Sequence, residues 1–565
     1  MKWYVGLSNT GHDPALAIID PDGRVAFAEA TERFVQVKRA WGILPDLAAH
    51  LEHAIAHVDF DPARDQIEVC TSWSTTHKRP KDELTNPLMA RHMLDSLYDY
   101  QGCQFNNIGA SFRLLELTDQ PIEVRRFEHH ACHAATGVYF SSAEDAVCLV
   151  IDGEGETGAI SEYAVSGRRL KRRWRAWNAG ASLGLYYGWL TLRCGFDGIK
   201  GEEWKVMGLA AFGEVRDDLV AELSRVLAFE NHRPVNRDDE EISAILSEVE
   251  TRIAHATRTP QEPIMQAADL AASGQYVYGR FADNLIAGCM KHEPSSLILT
   301  GGCALNSSYN GTVMQRFGLD QVDIPPCPAD DGNAIGAALL AWCEDQDAPI
   351  ARSDRSPYLG SSPNPAKIAA CIEASAPHFK VSEAGENSAN LVARKLAEGQ
   401  IIGVMRGRAE FGPRALGNRS ILADPRPAGM KDKINRLVKG REAYRPFAPV
   451  IPEDRLADWF ETPQPTPYMS KTLRWRPDKL TQIPAVAHAD DTGRAQSVTP
   501  ELYPWLHDVL VAFEAETGVP IILNTSLNIM GKPIVHSVED TVAMLMTTGL
   551  DAILLGDTLI EKASR

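Results

Sequence analysis

Trp3–Glu29, WYVGLSNTGHDPALAIIDPDGRVAFAE, and Ala146–Trp174, AVCLVIDGEGETGAISEYAVSGRRLKRRW, carry one pattern twice. In the first copy an apolar run, Trp3–Leu7, meets the polar turn Ser8–Asp13. Ala15–Ile19 follows, then the turn Pro21-Asp22-Gly23 and the run Arg24–Glu29. In the second, Cys148–Ile151 meets the turn Asp152–Thr157, Gly158–Val165 follows, and Ser166-Gly167 leads into Arg168–Trp174. Short apolar or alternating runs bounded by Gly, Asp and Pro read as strands joined by turns. Each copy is followed by sequence of helical period, so the order strand, turn, strand, turn, strand, helix recurs. A repeat of that kind predicts a duplicated α/β domain.

The layout is similar to the actin-like ATPase (ASKHA) fold, in which two hairpin loops face each other across a nucleotide cleft. Further strands are expected at Leu297–Thr300, running into Gly301-Gly302 with a helix from about Ala304, and at Val322–Ile324. A loop, Pro325–Asp331, then opens a small-residue helix near Ala334. Acidic residues at helical spacing over about residues 214–260 predict a mostly helical surface insertion. The aperiodic Asp, Ser, Gly and Pro of residues 346–365 predict a linker. The expected organisation is a first domain over 1–345 and a second, also α/β, over 366–565, with strands at Ile401–Met405 and Ile521–Leu523.

A chain with 44% hydrophobic and 23% charged residues is ordinary for a globular protein. Its formal net charge of −18 repels phosphate backbones and anionic lipid at long range, so neither nucleic acid nor a membrane is expected as partner. The one dense basic run, Arg168–Arg175, reads as a solvated hairpin arm. Ten cysteines occur with no Cys-x-x-Cys pair, which argues against a zinc ribbon and suggests free thiols in a reducing compartment. No apolar run is long enough to span a bilayer, and Asn9, His12 and Asp13 interrupt the N-terminus too early for a signal peptide. A cytoplasmic location is expected.

Three groups of residues carry chemistry. In EHHACHAATGVYF, His129 and His133 are four apart and share one helix face, a spacing that chelates one metal ion. Asp152, at a strand end, and Asp330, in a loop opening a helix, add carboxylate oxygens. Such a set suits a divalent first-row ion, iron(II) first, with zinc or manganese as alternatives. Taken alone, a His pair of this spacing is more often structural, and Asp at these places also forms turns and caps. The glycine loops form the second group. Gly153 and Gly155, Gly301-Gly302 with Asn306, and Gly336 are expected to let backbone approach a nucleotide. Third is GRAEFGPRALGNRS, residues 407–420, where Arg408, Arg414 and Arg419 crowd among three glycines and a proline, just after Arg406. A solvated helix face has no need of Gly412-Pro413 and Gly417, whereas a rigid loop presenting guanidinium forks to phosphate does. KINRLVKGREAYRPFAP adds Lys439, Arg441 and Arg445, HADDTGRAQSV adds His488 and Arg494, and LNTSLN clusters Asn524, Thr525, Ser526 and Asn528. Structural ion pairing is the plain alternative for each arginine. For the whole set in an acidic chain, an anionic substrate site explains more.

At these residues the sequence resembles the antibiotic-pathway and nodulation O-carbamoyltransferases, on GHDPALAI, AEATERF, HHACHAA, IDGEGE, KVMGLAAFG, GGCALN, GRAEFGPRALGNRS, YRPFAP, HADDTGRAQSV and LNTSLN. The resemblance runs over nearly the whole chain. It implies an N-terminal domain like the tRNA threonylcarbamoyl-transfer ATPases and a C-terminal α/β YrdC-like domain, like the threonylcarbamoyl-AMP synthases. It implies that the second domain forms carbamoyladenylate from carbamoyl phosphate and Mg-ATP, and that the first, with a divalent metal, passes the carbamoyl group to a hydroxyl of a small-molecule natural product. By motif, the implied metal ligands are His129, His133, Asp152 and Asp330, and His12 is the implied general base. The implied ligands of carbamoyl phosphate and nucleotide are Arg408, Arg414, Ser420, Lys439, Arg445, Arg494 and Ser526, with Asn524 beside them. A homodimer is expected by the same resemblance. Leu527, Ile529-Met530 and Glu203-Trp204 depart from the family pattern and put acceptor contacts in doubt more than the reaction class.

Three other readings compete. A tRNA-modifying carbamoyl or threonylcarbamoyl transferase fits each domain, but the chain is acidic and has no added basic arm. A hydrogenase-maturation carbamoyltransferase would bring Cys-x-x-Cys zinc modules and an acylphosphatase domain, and neither is found. A nucleotide-binding regulator without turnover is the reading from another class.

Overall fold

The computed structural model describes residues 1–74, 88, 108–117, 122, 124–156, 158–176, 181–235 and 237–562. Thr157, the last residue of one expected turn, lies outside them. The chain divides into two compact units, one of residues 1–32 and 39–354, the other of residues 33–38 and 355–565. The division at 354/355 falls inside the stretch expected as linker; the six residues 33–38 break the expected order.

In the first unit, β1 (Lys2–Ser8), β2 (Ala15–Ile19), β3 (Val25–Ala30), β4 (Gln66–Thr71) and β5 (Val124–Arg126) form a sheet in the order β3-β2-β1-β4-β5. The contacts β1/β2 and β2/β3 are antiparallel, and β1/β4 and β4/β5 are parallel. β6 (Ala146–Gly155), β7 (Gly158–Ser166) and β8 (Arg169–Ala176) form a meander. A small hairpin, β9 (Phe229–Glu230) with β10 (Arg233–Pro234), stands apart from both large sheets. β11 (Ser296–Thr300) and β12 (Gln321–Asp323) complete the second sheet in the order β12-β11-β6-β7-β8, with β6/β11 and β11/β12 parallel. Strand for strand, the two sheets have the same topology, as the repeated sequence pattern predicts.

Between the sheets lie two helices, and small residues set their closeness. A side chain at Gly6 of β1 would meet the Ala334 carbonyl, so the helix Asn333–Gln346 lies directly on that strand. A side chain at Gly137 would strike Ile298 of β11, which seats the helix His129–Phe140 on the second sheet. The helix His129–Phe140 is built almost wholly of buried residues, and the helix Asn333–Gln346 is buried over its first seven residues, Asn333–Leu339.

Two expectations need correction here. Arg168, read as part of a solvated arm, is buried and donates to the carbonyls of Val138, Ser141, Ala143 and Ile350. It satisfies the carbonyls that end the helix His129–Phe140, a role that its neighbours in sequence do not reveal. Arg172 and Arg173 do pair at the surface, with Glu128 and Glu162. The insertion is helical over Asp217–Leu223 and Asp239–Ile253, but the β9–β10 hairpin separates the two helices. After β11 the chain makes a short 3-10 turn, Gly302–Leu305, and the helix starts at Ser307 rather than near Ala304.

The second unit is built on one mixed sheet. Its strands are β13 (Lys380–Glu383), β14 (Ile402–Met405), β15 (Arg419–Ala423), β16 (Ala448–Pro452), β19 (Gln496–Val498), β20 (Ile522–Ser526), β21 (Ala552–Leu555) and β22 (Thr558–Glu561). They run in the order β13-β22-β21-β14-β15-β20-β16-β19, and β17 (Thr472–Arg474) with β18 (Thr492–Arg494) forms a separate pair. The period of two is visible in the cores. Ile402, Val404, Leu422 and Ile522 pack on one face with Leu396 and Phe513. Met405, Ile421, Ala423 and Leu523 pack on the other with Phe460, Trp475 and Leu545. A sheet buried on both faces leaves its strand-end loops as the exposed functional ground. No described helix is long and apolar enough to cross a membrane, and the described cysteines are all free.

Candidate functional site

In the first unit the helix starting at His129 is capped by Glu128, whose carboxylate accepts from the Ala131 amide. The cap fixes where the helix begins, so His129 and His133 stand on one face of its first turns. β6 delivers Asp152 next to an irregularity between Ile151 and Gly155, and the loop before the helix Asn333–Gln346 delivers Asp330. The four side chains are buried, and their ligand atoms all lie within 4.8 Å of one another. His129 Nε2 is 3.0 Å from Asp152 Oδ2 and 3.2 Å from His133 Nε2, and both imidazoles are within 3.6 Å of Asp330 Oδ1. A surrounding layer orients them. The Gly302 amide donates to Asp152 Oδ1, Thr10 Oγ1 donates to Asp330 Oδ2, and Asn333 Nδ2 lies 3.2 Å from His129 Nδ1.

Electrostatics show what this group lacks. Burial lowers the pKa of His129, but Asp330 and Asp152 overcome it and hold the imidazole well above its ordinary range. Burial and the mutual repulsion of the two carboxylates raise the pKa of Asp152, yet the histidines bring it below the usual carboxylate value. Two buried carboxylates therefore require positive charge between the rings, supplied either by protons or by a cation. Two imidazole nitrogens and two carboxylate oxygens around one point fit a divalent first-row ion.

His12 lies in the turn between β1 and β2. Its Nδ1 is 2.9 Å from Asp13 Oδ2 and 3.0 Å from Arg39 Nη2, and Arg39 also donates to Asp13. Burial opposes ionisation of Asp13, but Arg39 and His12 outweigh it and lower its pKa to about 2, so Asp13 is an anion beside the imidazole. Trp41 packs beside the imidazole, the two ring centroids 5.0 Å apart. About a quarter of the His12 side chain stays exposed, enough for a substrate to reach it.

The glycines separate into two kinds. At Gly153 an added side chain would meet nothing within 4 Å, so backbone there is open to a ligand. At Gly301, with φ +88°, a side chain would strike the Ile151 carbonyl, and at Gly155 it would crowd His129 and His130. Gly336 is not the adenosine contact expected. A side chain there would meet the Cys132 carbonyl, so this glycine lets the helix Asn333–Gln346 approach the helix that carries the two histidines. Asn306 caps the helix Ser307–Phe317 through the Tyr309 amide and pairs with Gln275, which occupies its side chain.

In the second unit one carboxylate that the sequence reading did not single out organises the 407–420 loop. Glu410, buried, accepts from the amides of Leu416, Asn418 and Arg419. Asn524 donates to the Ala415 carbonyl, Gln496 and Tyr358 donate to that of Leu416, and Ser420 Oγ accepts from the Gly417 amide. Asn524 and Ser420 thus shape the loop from below. Arg419 is buried and donates to the carbonyls of Arg406, Gly407 and Ser361, so it too is internal scaffolding. Arg408, expected as an anion ligand, donates from Nε to the Gly360 carbonyl and from Nη2 to that of Leu359.

Arg414 and Arg494 differ from these. Among the described residues, neither side chain makes a hydrogen bond or an ion pair. Burial lowers the pKa of Arg414 to about 10. Burial, then Arg414, Arg441 and Arg445, lowers that of Arg494 well below its ordinary value. Arg441 joins them, stacked 4.6 Å over Phe447 and bonded to Asn435 Oδ1, its pKa pushed down to about 9 by burial and by Arg445. Arg445 has Glu442 as an ionic partner. Lys439, at the end of a π-helical turn, is buried and gives its ammonium to Ser526 and Asn528. Its neighbours are cations, so burial together with Arg441 and Arg445 holds its pKa well below the lysine range. Among the described residues this brings several partly buried cations close together, with Glu442 as the ionic partner of Arg445, an arrangement whose chemistry suits an anion.

The family model for the carbamoyltransferase N-terminus matches residues 4–339, and that for the carbamoyltransferase C-terminus matches residues 393–562. The chain belongs to the carbamoyltransferase family. Among curated relatives of this carbamoyltransferase, the nodulation protein NolNO of Sinorhizobium fredii is 33% identical over 98% of this chain and 80% of its own. Nodulation protein U of the same species is 29% identical, covering 92% and 93%. The 3'-hydroxymethylcephem-O-carbamoyltransferase of Amycolatopsis lactamdurans is 30% identical, covering 78% and 82%. Solved structures overlap loosely: HypF of T. kodakarensis aligns with TM-score 0.30 at 13% identity, over 61% of this chain and 48% of its own.

Proposed function

We propose that this carbamoyltransferase activates carbamoyl phosphate with ATP in its second unit and passes the carbamoyl group to a hydroxyl of a small molecule in its first. The observation that carries this is the pair Arg414, on a loop tied down by Glu410, and Arg494, at the end of β18, cations without a protein partner among the described residues. Carbamoyl phosphate and ATP are both polyanions, and fixed guanidinium groups would bind them and offset charge growing on the departing phosphates. In that step carbamoyl phosphate, water and ATP give carbamoyladenylate, phosphate and pyrophosphate. The resemblance supports reading the second unit as YrdC-like, and the duplicated sheet topology supports an actin-like first unit with open backbone at Gly153.

In the first unit the acceptor oxygen attacks the carbamoyl carbon of the adenylate, the bond from that carbon to the AMP oxygen breaks, AMP leaves, and the hydroxyl must lose its proton. His12 is read as the base that takes it: with Asp13 accepting from Nδ1–H, Nε2 would be the atom that receives the proton. Arg39 keeps Asp13 ionised. His129, His133, Asp152 and Asp330 would hold a divalent ion, which supplies a fixed positive charge for an anionic oxygen of the donor. The acceptor is read as a hydroxylated small molecule because a relative acts on a hydroxymethylcephem and the chain is strongly acidic.

The test is to supply labelled carbamoyl phosphate and ATP with a panel of hydroxylated small molecules, hydroxymethylcephem included, and separately with tRNA. Label in a small-molecule product supports the proposal. Label in tRNA alone refutes the choice of acceptor.

A further inference from the structure

The second unit contains six residues from the N-terminal part of the chain, Arg33–Lys38. Arg33 is 5% exposed, and its Nη2 donates to the Gly412 carbonyl at 2.8 Å. Among the described residues, this is the one hydrogen bond made by the tripeptide Gly412-Pro413-Arg414. On the C-terminal side of that tripeptide the loop is held by Glu410, Asn524, Gln496 and Tyr358. On its N-terminal side the Phe411 amide donates to the Pro357 carbonyl. Pro413 has no amide hydrogen to give, so the span carrying Arg414 depends on Arg33 for its fixed position. Gly412 is at φ +114°, a backbone region in which a free loop has many competing states.

The same segment reaches the other anion loop. Gln36 Nε2 donates to the carbonyls of Arg33 and Ile534, and Phe34 packs edge-on against His536. Next to these, the Val535 amide donates to the Leu527 carbonyl, one residue beyond Ser526, which Lys439 holds. Among the described residues Arg33 has no carboxylate partner, and a buried guanidinium in that position is costly to keep. Its single bond to a loop carbonyl is the visible return on that cost.

We infer that Arg33 and Gln36 are positioning residues for the anion site of the second unit: a strap from the N-terminal sequence that holds Arg414 and the Ser526 turn at the spacing a phosphate requires. The inference rests on the anion-site reading above. It does not make Arg33 a ligand; it acts through Arg414.

The experiment uses the full chain and inorganic pyrophosphate as probe, with binding followed by calorimetry. Arg33→Ala is expected to weaken pyrophosphate binding about tenfold, Arg33→Lys to recover most of it, and Gln36→Ala to weaken it less. In pyrophosphate-release kinetics, the KM for carbamoyl phosphate should rise with Arg33→Ala more than kcat falls, a split that general destabilisation would not produce. Should Arg33→Ala fail to fold, Arg33→Lys and Gln36→Ala carry the test. Binding by the wild type that Arg414→Ala removes but that Arg33→Ala and Gln36→Ala leave unchanged overturns the positioning role alone. If the wild type does not bind pyrophosphate, or Arg414→Ala binds as tightly, the anion site itself is wrong and the strap falls with it.

Discussion

Arg414→Ala should make the ligand-free protein more stable and the enzyme inactive in adenylate formation. The two effects share one cause. Among the described residues Arg414 has no partner of opposite charge, and burial has already lowered its pKa to about 10. At neutral pH its charge is fully present and penalised in the folded state. Discounted for a half-buried side chain, removing it returns about 1 kcal/mol, which raises the Tm of a unit this size by roughly 2–4 °C. On the substrate side, a guanidinium fork gives a phosphate two charge-assisted hydrogen bonds, each contributing about 1.5–3 kcal/mol. Losing both costs about 3–4 kcal/mol, so carbamoyl-phosphate-dependent pyrophosphate release should fall by about 10²- to 10³-fold. The assay pairs scanning calorimetry, without and with pyrophosphate, with coupled detection of pyrophosphate release. A variant that melts lower than the wild type and keeps its rate would refute the reasoning, because it would mean that the protein itself neutralises Arg414.

His133→Ala removes one of four converging ligands, so the purified protein should lose nearly all bound divalent metal by elemental analysis and still bind pyrophosphate in the second unit; full metal occupancy would contradict the ligand set. With His12→Ala, pyrophosphate release should persist while carbamoyl transfer drops by about 10²-fold or more; transfer at the normal rate would exclude His12 as base. His488 is held neutral, mainly by burial, with its pKa lowered to about 4. The unfolded chain takes up a proton near pH 6.5 and the folded chain only near 4, so this contribution is complete above pH 6.5 and is lost as pH falls between those values. His488→Gln should therefore flatten the urea midpoint between pH 7 and pH 5, where the wild type loses about 1 kcal/mol through this group after discounting for partial exposure. Equal slopes for the two proteins would show that His488 is charged in the fold.

Much of the first unit could be read in the sequence because its signals are local. Trp3–Leu7 and Cys148–Ile151 are apolar runs ended by glycine turns, and the expected strands agree with β1 and β6 apart from a few residues at their ends. His129 and His133 need only a helix between them to share a face. What escaped depends on contacts between distant parts of the chain. Arg408, Arg414 and Arg419 look alike in GRAEFGPRALGNRS, yet among the described residues Arg408 and Arg419 end on backbone carbonyls and Arg414 does not. Spacing holds no information on which carbonyls a loop leaves unpaired. Gly336 reads as a loop-approach glycine, but its neighbour is the Cys132 carbonyl, some two hundred residues earlier in the sequence. Arg33 lies in AEATERF, a motif noted for its resemblance alone, and its partner Gly412 is 379 residues away. Glu410 had a local signal, an acid among arginines, though not one that distinguishes a loop-organising carboxylate from an ordinary ion pair.

Pyrophosphate release from ATP by the wild-type chain, with and without carbamoyl phosphate, bears most directly on the central claim. We expect release that requires carbamoyl phosphate, proceeds without any hydroxylated acceptor, and yields one phosphate for each pyrophosphate. Release that ignores carbamoyl phosphate, or none at all from metal-loaded protein, would contradict it.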